Sequence, residues 1–337
     1  MTQKHFYFLA CLLSLGCASK DDSTGDSAAE TDKDTDTDTD TDTGTDTGPT
    51  TTTFSPTEGT WLAKDFVIDS DDCALGFLYG LTADSRVWWE LDSGDDDWSI
   101  TASNGLVASC TQSSNDVECL ATSVFDYTEG GFVGAIPIPP TDAVVTLIAA
   151  NAGTLTSDST STVATTYSGD CVGVDCDTLL GSIGVTSPCT TEVSSFDFSQ
   201  EAFAPTDGTW AQAGFEWADD GCNAVTNLGS SGGPADDIAI LNGEDGTFTA
   251  TIASSGDVYN CSTDGLNFTC EPIVFMSLED ITVSIGGTGR FGNEESYAAQ
   301  FNMVADCSGD DCEDMSAEWG VDFPCTSTGT TSAALSE

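Results

Sequence analysis

Thiols are the groups in this chain whose spacing most plainly implies chemistry. Of fourteen cysteines, twelve fall into two sets of six: Cys73, Cys110, Cys119, Cys171, Cys176 and Cys189, then Cys222, Cys261, Cys270, Cys307, Cys312 and Cys325. The intervals are 37, 9, 52, 5 and 13 residues in the first set and 39, 9, 37, 5 and 13 in the second. Cysteines ligate soft metals or join in pairs. An even number per set favours pairing, which belongs to an oxidising, extracytoplasmic compartment. A framework that occurs twice implies a duplicated domain. Cys110 and Cys119, and Cys261 and Cys270, lie nine residues apart around Ser114-Asn115 and Gly265-Leu266. In a hairpin with a two-residue loop each pair would stand face to face. Cys171 with Cys176 and Cys307 with Cys312 would then close small loops, leaving Cys73 with Cys189 and Cys222 with Cys325 to tie the ends of each domain. This is one of many connectivities that six cysteines allow.

Histidine chemistry is missing. His5 is the sole histidine and lies in a predicted export signal, so the mature chain has no Ser-His-Asp or Cys-His catalysis and no ordinary zinc site. Asp42-Thr43-Gly44 and Asp46-Thr47-Gly48 resemble the triplet of aspartic proteases. In that family the triplet sits between hydrophobic strands, whereas here it recurs inside a solvated repeat, so no shared proton in a shielded cleft is expected. Trp88-Trp89 followed by Asp92, Asp95, Asp96 and Asp97 has the composition of a sugar platform, which keeps a carboxylate-based carbohydrate-active enzyme as a lesser alternative. Asp71, Asp170 and Asp175 recur as Asp220, Asp306 and Asp311, each near a cysteine. Hard oxygen ligands suit calcium, but Asp beside Cys and Gly also caps turns, and turn capping is the preferred reading. No cofactor is otherwise implied.

The elements that must position these groups are strands. Arg86 to Leu91, Trp98 to Ser103, Val144 to Ala149 and Val163 to Tyr167 alternate or are β-branched in the first copy. Ile238 to Leu241, Thr247 to Ile252, Ile273 to Phe275, Ile281 to Ile285 and Tyr297 to Val304 do so in the second. Gly, Asp, Asn and Ser separate them, and no sustained helical period occurs. The fold class is therefore all-β, with two tandem homologous disulfide-containing domains, each a β-barrel or a β-sandwich. Pro56-Thr57-Glu58-Gly59-Thr60-Trp61 matches Pro205-Thr206-Asp207-Gly208-Thr209-Trp210, which makes both tryptophans expected core anchors. A Gly-x-Trp on the first strand before a meander resembles lipocalins, although the six-cysteine framework is not theirs; the resemblance implies an interior able to hold a small apolar ligand. Between the third and fourth cysteines the first copy carries extra residues, mostly from Phe125 to Pro140, the first place to look for a partner contact.

At the N-terminus Lys4 precedes an apolar run from Phe6 to Gly16, too short to span a bilayer and suited to an export signal. It ends Leu13-Ser14-Leu15-Gly16-Cys17, which resembles the lipobox of bacterial lipoproteins. The resemblance implies cleavage before Cys17 and its lipidation; Ser14 departs from the usual aliphatic residue, and Ala18 rather than Asp after the cysteine implies the outer membrane. Asp/Thr alternation from Thr31 through Thr47 follows, with like charges and no core-forming residues. From Ala18 to Thr53 such a stalk reaches at most about 120 Å extended, or roughly 35 Å as a coil. A short signal, a cysteine and a TDTD-like tether resemble lipoproteins of myxobacteria and related Gram-negative bacteria. The expected organisation is a signal over 1–16, a lipidated cysteine with disordered acidic linker over 17–53, one β domain over 54–190, a linker over 191–204, a second β domain over 205–326 and a polar tail over 327–337.

A net charge of -51, from 57 acidic residues against six Lys and Arg, argues against nucleic acid as a partner. The expected function is a non-enzymatic envelope lipoprotein, periplasmic or cell-surface facing, that binds a protein, glycan or small apolar ligand or serves structurally. A lipocalin-like carrier is the alternative, and simple secretion the alternative to anchoring.

Overall fold

The computed structural model describes residues 52–93, 98–103, 105–133, 136–214, 216–227, 236–278 and 280–336. The first repeat runs β1 (Gly59–Asp71), α1 (Leu75–Tyr79), β2 (Val87–Ser93), β3 (Trp98–Ala102), β4 (Val107–Ser113), β5 (Asp116–Asp126), β6 (Gly131–Val133), β7 (Ile136–Ile138), β8 (Val144–Ser157), β9 (Thr160–Val172), α2 (Cys176–Ser182) and β10 (Cys189–Gln200). The second runs β11 (Gly208–Gln212), β12 (Glu216–Asp220), α3 (Ala224–Asn227), β13 (Asp237–Asn242), β14 (Thr247–Ile252), β15 (Val258–Asp264), β16 (Asn267–Leu278), β17 (Ile281–Asn293), β18 (Ser296–Cys307), α4 (Cys312–Trp319) and β19 (Cys325–Leu335). Each repeat is a closed antiparallel barrel. The first has the order β1-β10-β9-β8-β5-β4-β3-β2, with β2 returning to β1. The second has β11-β13-β14-β15-β16-β17-β18-β19, closed by β11 on β19, where Trp210 faces Leu335. β12 continues along β19, so β11 and β12 together take the place of β1. Closure pairs the barrel strands with one another and leaves only short edges, at β12 and in the β6-β7 sheet. No helix among the described residues is long and apolar enough to cross a membrane.

The repeated Gly-x-Trp has a backbone cause. Gly59 and Gly208 have φ of 122° and 154°, which side chains disfavour, and they turn the chain into the first strand. Trp61 and Trp210 then enter the barrels fully buried, their indole N–H groups donating to the carbonyls of Thr57 (2.9 Å) and Thr206 (3.1 Å).

Two segments differ from expectation. Residues 191–204, expected as a linker, mostly belong to β10, and residues 327–337, expected as a tail, mostly belong to β19. A barrel needs its last strand to pair with both its first and its penultimate strand, and that demand overrides the Thr, Ser and Gly content of Cys325–Leu335. The connection between barrels is only the stretch after Gln200 and before Gly208.

Six disulfides join Cys73–Cys189, Cys110–Cys119, Cys171–Cys176, Cys222–Cys325, Cys261–Cys270 and Cys307–Cys312. They place the two barrels in an oxidising, non-cytoplasmic compartment. Cys110 and Cys119 are directly opposed on β4 and β5, as Cys261 and Cys270 are on β15 and β16. The insertion of the first repeat forms the β6-β7 hairpin, and Ile138 packs with Tyr127, Ala143, Cys176 and Leu179 at one end of the barrel.

The barrels meet end against side. Leu62 and Trp88 face away from the first barrel's interior and are buried against the second. Phe203 of the connection packs edge-on to Trp88 (5.1 Å) and against Phe291 (5.0 Å). Around this apolar contact, Glu90 accepts from Arg290 (2.6 Å) and from the Leu266 N–H (2.7 Å), and Arg86 donates to Glu294 (2.9 Å). Arg290 also reaches the carbonyls of Ala102 and Ser103.

In the chain-entropy account, breaking the bridge that closes a whole barrel costs more than breaking a hairpin bridge: about 4–5 kcal/mol for Cys73→Ser with Cys189→Ser, against about 3 kcal/mol for Cys110→Ser with Cys119→Ser. Urea titrations of the two double variants check the order. Glu90→Ala removes the ion pair of Arg290 and leaves the Leu266 amide without its acceptor, and is expected to cost about 2 kcal/mol and to split one calorimetric transition into two. A single unchanged transition would show that the apolar contact, Arg86–Glu294 and the Arg290 bonds to the Ala102 and Ser103 carbonyls suffice to couple the barrels.

Candidate ligand cavity in the second barrel

Both barrels have eight strands in equivalent register, yet their interiors differ. Aligning the copies through Cys110–Cys119 and Cys261–Cys270 sets Trp89, Trp98 and Ile100 against Ile238, Phe248 and Ala250. On the closing strands, Phe196 and Phe198 stand where the second barrel has Thr331 and Ala333. The first barrel is filled as a result. Phe198 stacks on Trp61 (4.9 Å) and Phe196 on Phe66 (4.9 Å), with a void of about 30 Å³ beside them and another of about 50 Å³ near Cys73–Cys189, each with room for a few waters at most. Thr165 donates to the Asn151 side chain inside this barrel, a polar pair whose counterparts are Phe301 and Gly287.

The second barrel holds a cavity of about 780 Å³, within the span of about 300–1,000 Å³ usual for small-molecule sites. Its wall includes Trp217, Ile240, Phe248, Phe268, Phe301 and Met303. The floor, on the side of the first barrel, is Phe268 and Tyr297, which pack on Phe291 (4.9 Å) and Trp210 (5.7 Å) respectively. Four polar residues, Asp236, Ser254, Ser255 and Asp257, border the other end, where β13 begins and β14 turns into β15. Ser254 donates to Asp236, and the Asp257 amide donates to Ser255. Two tyrosines line the space. Tyr297 is 8% exposed and its hydroxyl has no hydrogen-bond partner among the described residues; burial pushes it well above the ordinary tyrosine value. Burial first, and the Asp257 carboxylate second, raise Tyr259.

The residues singled out by sequence lie elsewhere. Cys17, the two Asp-Thr-Gly triplets and Asp95 to Asp97 fall outside the described residues. Trp88 and Trp89 do not form a surface platform: Trp88 is buried between the barrels and Trp89 packs into the first core, because neighbouring strand residues point to opposite faces. The paired aspartates bind backbone. Asp71 accepts from the amides of Leu75 (2.7 Å) and Gly76 (2.8 Å) and from Thr191 (2.8 Å), and Asp220 accepts from the Ala224 amide (2.5 Å) and Ser327 (3.0 Å). Thr191 and Ser327 in turn accept from the amides of Cys73 and Cys222, so each carboxylate ties the closing strand to the chain beside a disulfide. Asp170 and Asp306 accept from the next cysteine's amide, Asp175 accepts from Thr141 and the Asp142 amide, and Asp311 stands at the start of α4. Among the described residues, no three His, Cys, Asp or Glu side chains are grouped to hold a metal. Tyr259, Tyr297, Phe301 and the small residues Ala250, Thr331 and Ala333 were not singled out. Comparing inward positions of β10 and β19 would have found the contrast, had both segments been read as strands.

No protein-family model matches the chain, and no curated protein does. Among solved structures, a Bacteroides fragilis protein provisionally assigned to the outer membrane aligns over 83% of this chain and 97% of its own, at 8% identity and a TM-score of 0.19. A Nostoc punctiforme protein of unknown function, of the DUF3598 family, aligns over 82% of this chain and 96% of its own, at 8% identity and a TM-score of 0.17. Neither similarity bears on the cavity.

The unequal filling has a mutational signature. Ala250→Ile, which installs the first barrel's residue, enters open space and is expected to be neutral or stabilising, whereas Ala108→Ile in the filled barrel is expected to cost about 1–3 kcal/mol through overpacking. Equal losses in chemical denaturation would mean that both interiors are closed.

Proposed function

We propose that this chain is a lipid-anchored protein of the bacterial cell envelope that holds a two-barrel body on an acidic stalk. The second barrel binds a small apolar molecule, and the first is a structural base for it. The observation that carries this reading is the contrast between about 780 Å³ of space in one barrel and about 30 Å³ at the matching place in the other. Two copies of one scaffold, subject to the same packing rules, differ in whether bulky side chains occupy the centre. A polar ring at one end, an aromatic floor and mostly apolar walls are the usual make-up of a site that desolvates a ligand while fixing its direction. Binding rather than catalysis fits the lack of histidine in the mature chain and the use of the repeated aspartates as backbone ties. Anchoring rests on Cys17 and the lipobox-like residues before it, and the Asp/Thr stalk would keep the body clear of the membrane surface.

Titrating the purified chain with N-phenyl-1-naphthylamine is expected to give one site per chain. Ala250→Ile combined with Thr331→Phe should abolish it while leaving the fold intact by circular dichroism. Two sites per chain, or binding indifferent to the double substitution, would sink the assignment to the second barrel. Cys17→Ala is expected to abolish incorporation of labelled palmitate and release the chain from the membrane fraction; persistence of the label would remove Cys17 as the anchor.

A further inference from the structure

The cavity's charged groups are of one sign. Among the described residues the basic side chains are Lys64, Arg86 and Arg290, and each is already paired, with Glu201, Glu294 and Glu90 respectively. None of the three lines the cavity, and the mature chain has no histidine. Its mouth instead carries Asp236 and Asp257, partly buried and without a cationic partner. A ligand carboxylate or phosphate at this mouth would meet like charge and no counter-ion, whereas an ammonium would find two carboxylates and aromatic faces. The net charge of -51 acts in the same direction at longer range.

A second observation lies at the opposite end. Tyr297 occupies the position of Ser161 in the first barrel, and its hydroxyl has no hydrogen-bond partner among the described residues and reaches the cavity. Water in the open cavity can complete that hydroxyl, but a ligand that fills the space displaces the water and leaves the hydroxyl unsatisfied unless one of its own atoms accepts from it. An oxygen atom on the buried end of the ligand would accept from that hydroxyl.

Building on the reading of the second barrel as a binding site, we propose that its ligand is an apolar amine. The ammonium sits between Asp236 and Asp257 at the mouth, the hydrocarbon lies against Phe248, Phe268 and Phe301, and a hydroxyl, ether or carbonyl oxygen reaches Tyr297. The site excludes anionic amphiphiles such as fatty acids.

Displacement of N-phenyl-1-naphthylamine by dodecylamine, 1-dodecanol, dodecanoate and 12-amino-1-dodecanol tests each part on the whole mature chain. Dodecylamine is expected to bind at least tenfold more tightly than 1-dodecanol, with dodecanoate weaker than either. Asp236→Asn with Asp257→Asn should remove the amine's advantage and leave 1-dodecanol unchanged. The aminoalcohol should gain severalfold over dodecylamine in the native chain and not in Tyr297→Phe. Dodecanoate binding as well as the amine, or an amine advantage that survives the double Asn variant, would overturn the charge assignment while leaving the barrel a carrier. Failure of the probe and of all four compounds would overturn the carrier reading together with this one.

Discussion

An eight-stranded barrel in a given register encloses one interior volume, and each inward position must either help fill it or leave it open. Both halves of this chain obey that constraint with the same frame. Trp61 and Trp210 sit at matched sites, the same six cysteines pair in the same way, and Asp71 and Asp220 tie the closing strands alike. What differs is bulk at a few inward positions. Phe196, Phe198, Trp98 and Ile100 close the first interior; Thr331, Ala333, Phe248 and Ala250 leave the second open. A packing difference of this kind changes how much room the interior has without disturbing the frame, because the strand ladders that hold the barrel run around its wall and not through its centre.

The interface depends on a scarce resource. With so few cations in a strongly acidic chain, two of the three in the described region lie at the contact between barrels. Glu90 meets Arg290, the Leu266 amide and Asn267 at once, so one carboxylate orients the β15-β16 hairpin of the second barrel against the first. Phe203 fills the apolar middle. The filled barrel thereby supports the floor of the hollow one, since Trp210, Phe291 and Tyr297 belong to the same packed group as Leu62, Trp88 and Phe203. Support from a second domain offsets the core contacts that a hollow barrel forgoes.

Much of the frame was legible from residues alone. The hairpin cysteines could be paired because a nine-residue spacing around a two-residue loop puts them on facing strands, and the alternating or β-branched runs Thr247–Ile252 and Val144 to Ala149 marked strands directly, the second continuing to Ser157. The closing strands were less visible. Cys325–Leu335 is nearly all Thr, Ser, Gly and Ala, with no apolar alternation to declare a buried face, and only its two neighbours make it a strand. The insertion between Phe125 and Pro140 drew notice as the largest difference in length, and it forms a hairpin packed on the end of the first barrel. The smaller differences in side-chain size, which length comparison does not see, lie at the cavity.

The sequence by itself determined the duplication, the all-β class, the facing positions of the hairpin cysteines and the acidic charge, because these follow from residue type and local spacing. Only the tertiary structure decided that one barrel is full and the other open, that Tyr297 faces a cavity without a partner, and that Glu90 and Arg290 join the two barrels across two hundred positions of chain. Each of those depends on residues far apart in sequence meeting at one place. Whether Ala250, Thr331 and Ala299 leave a hole depends on what stands across the barrel from them, and no periodicity in a single strand records that.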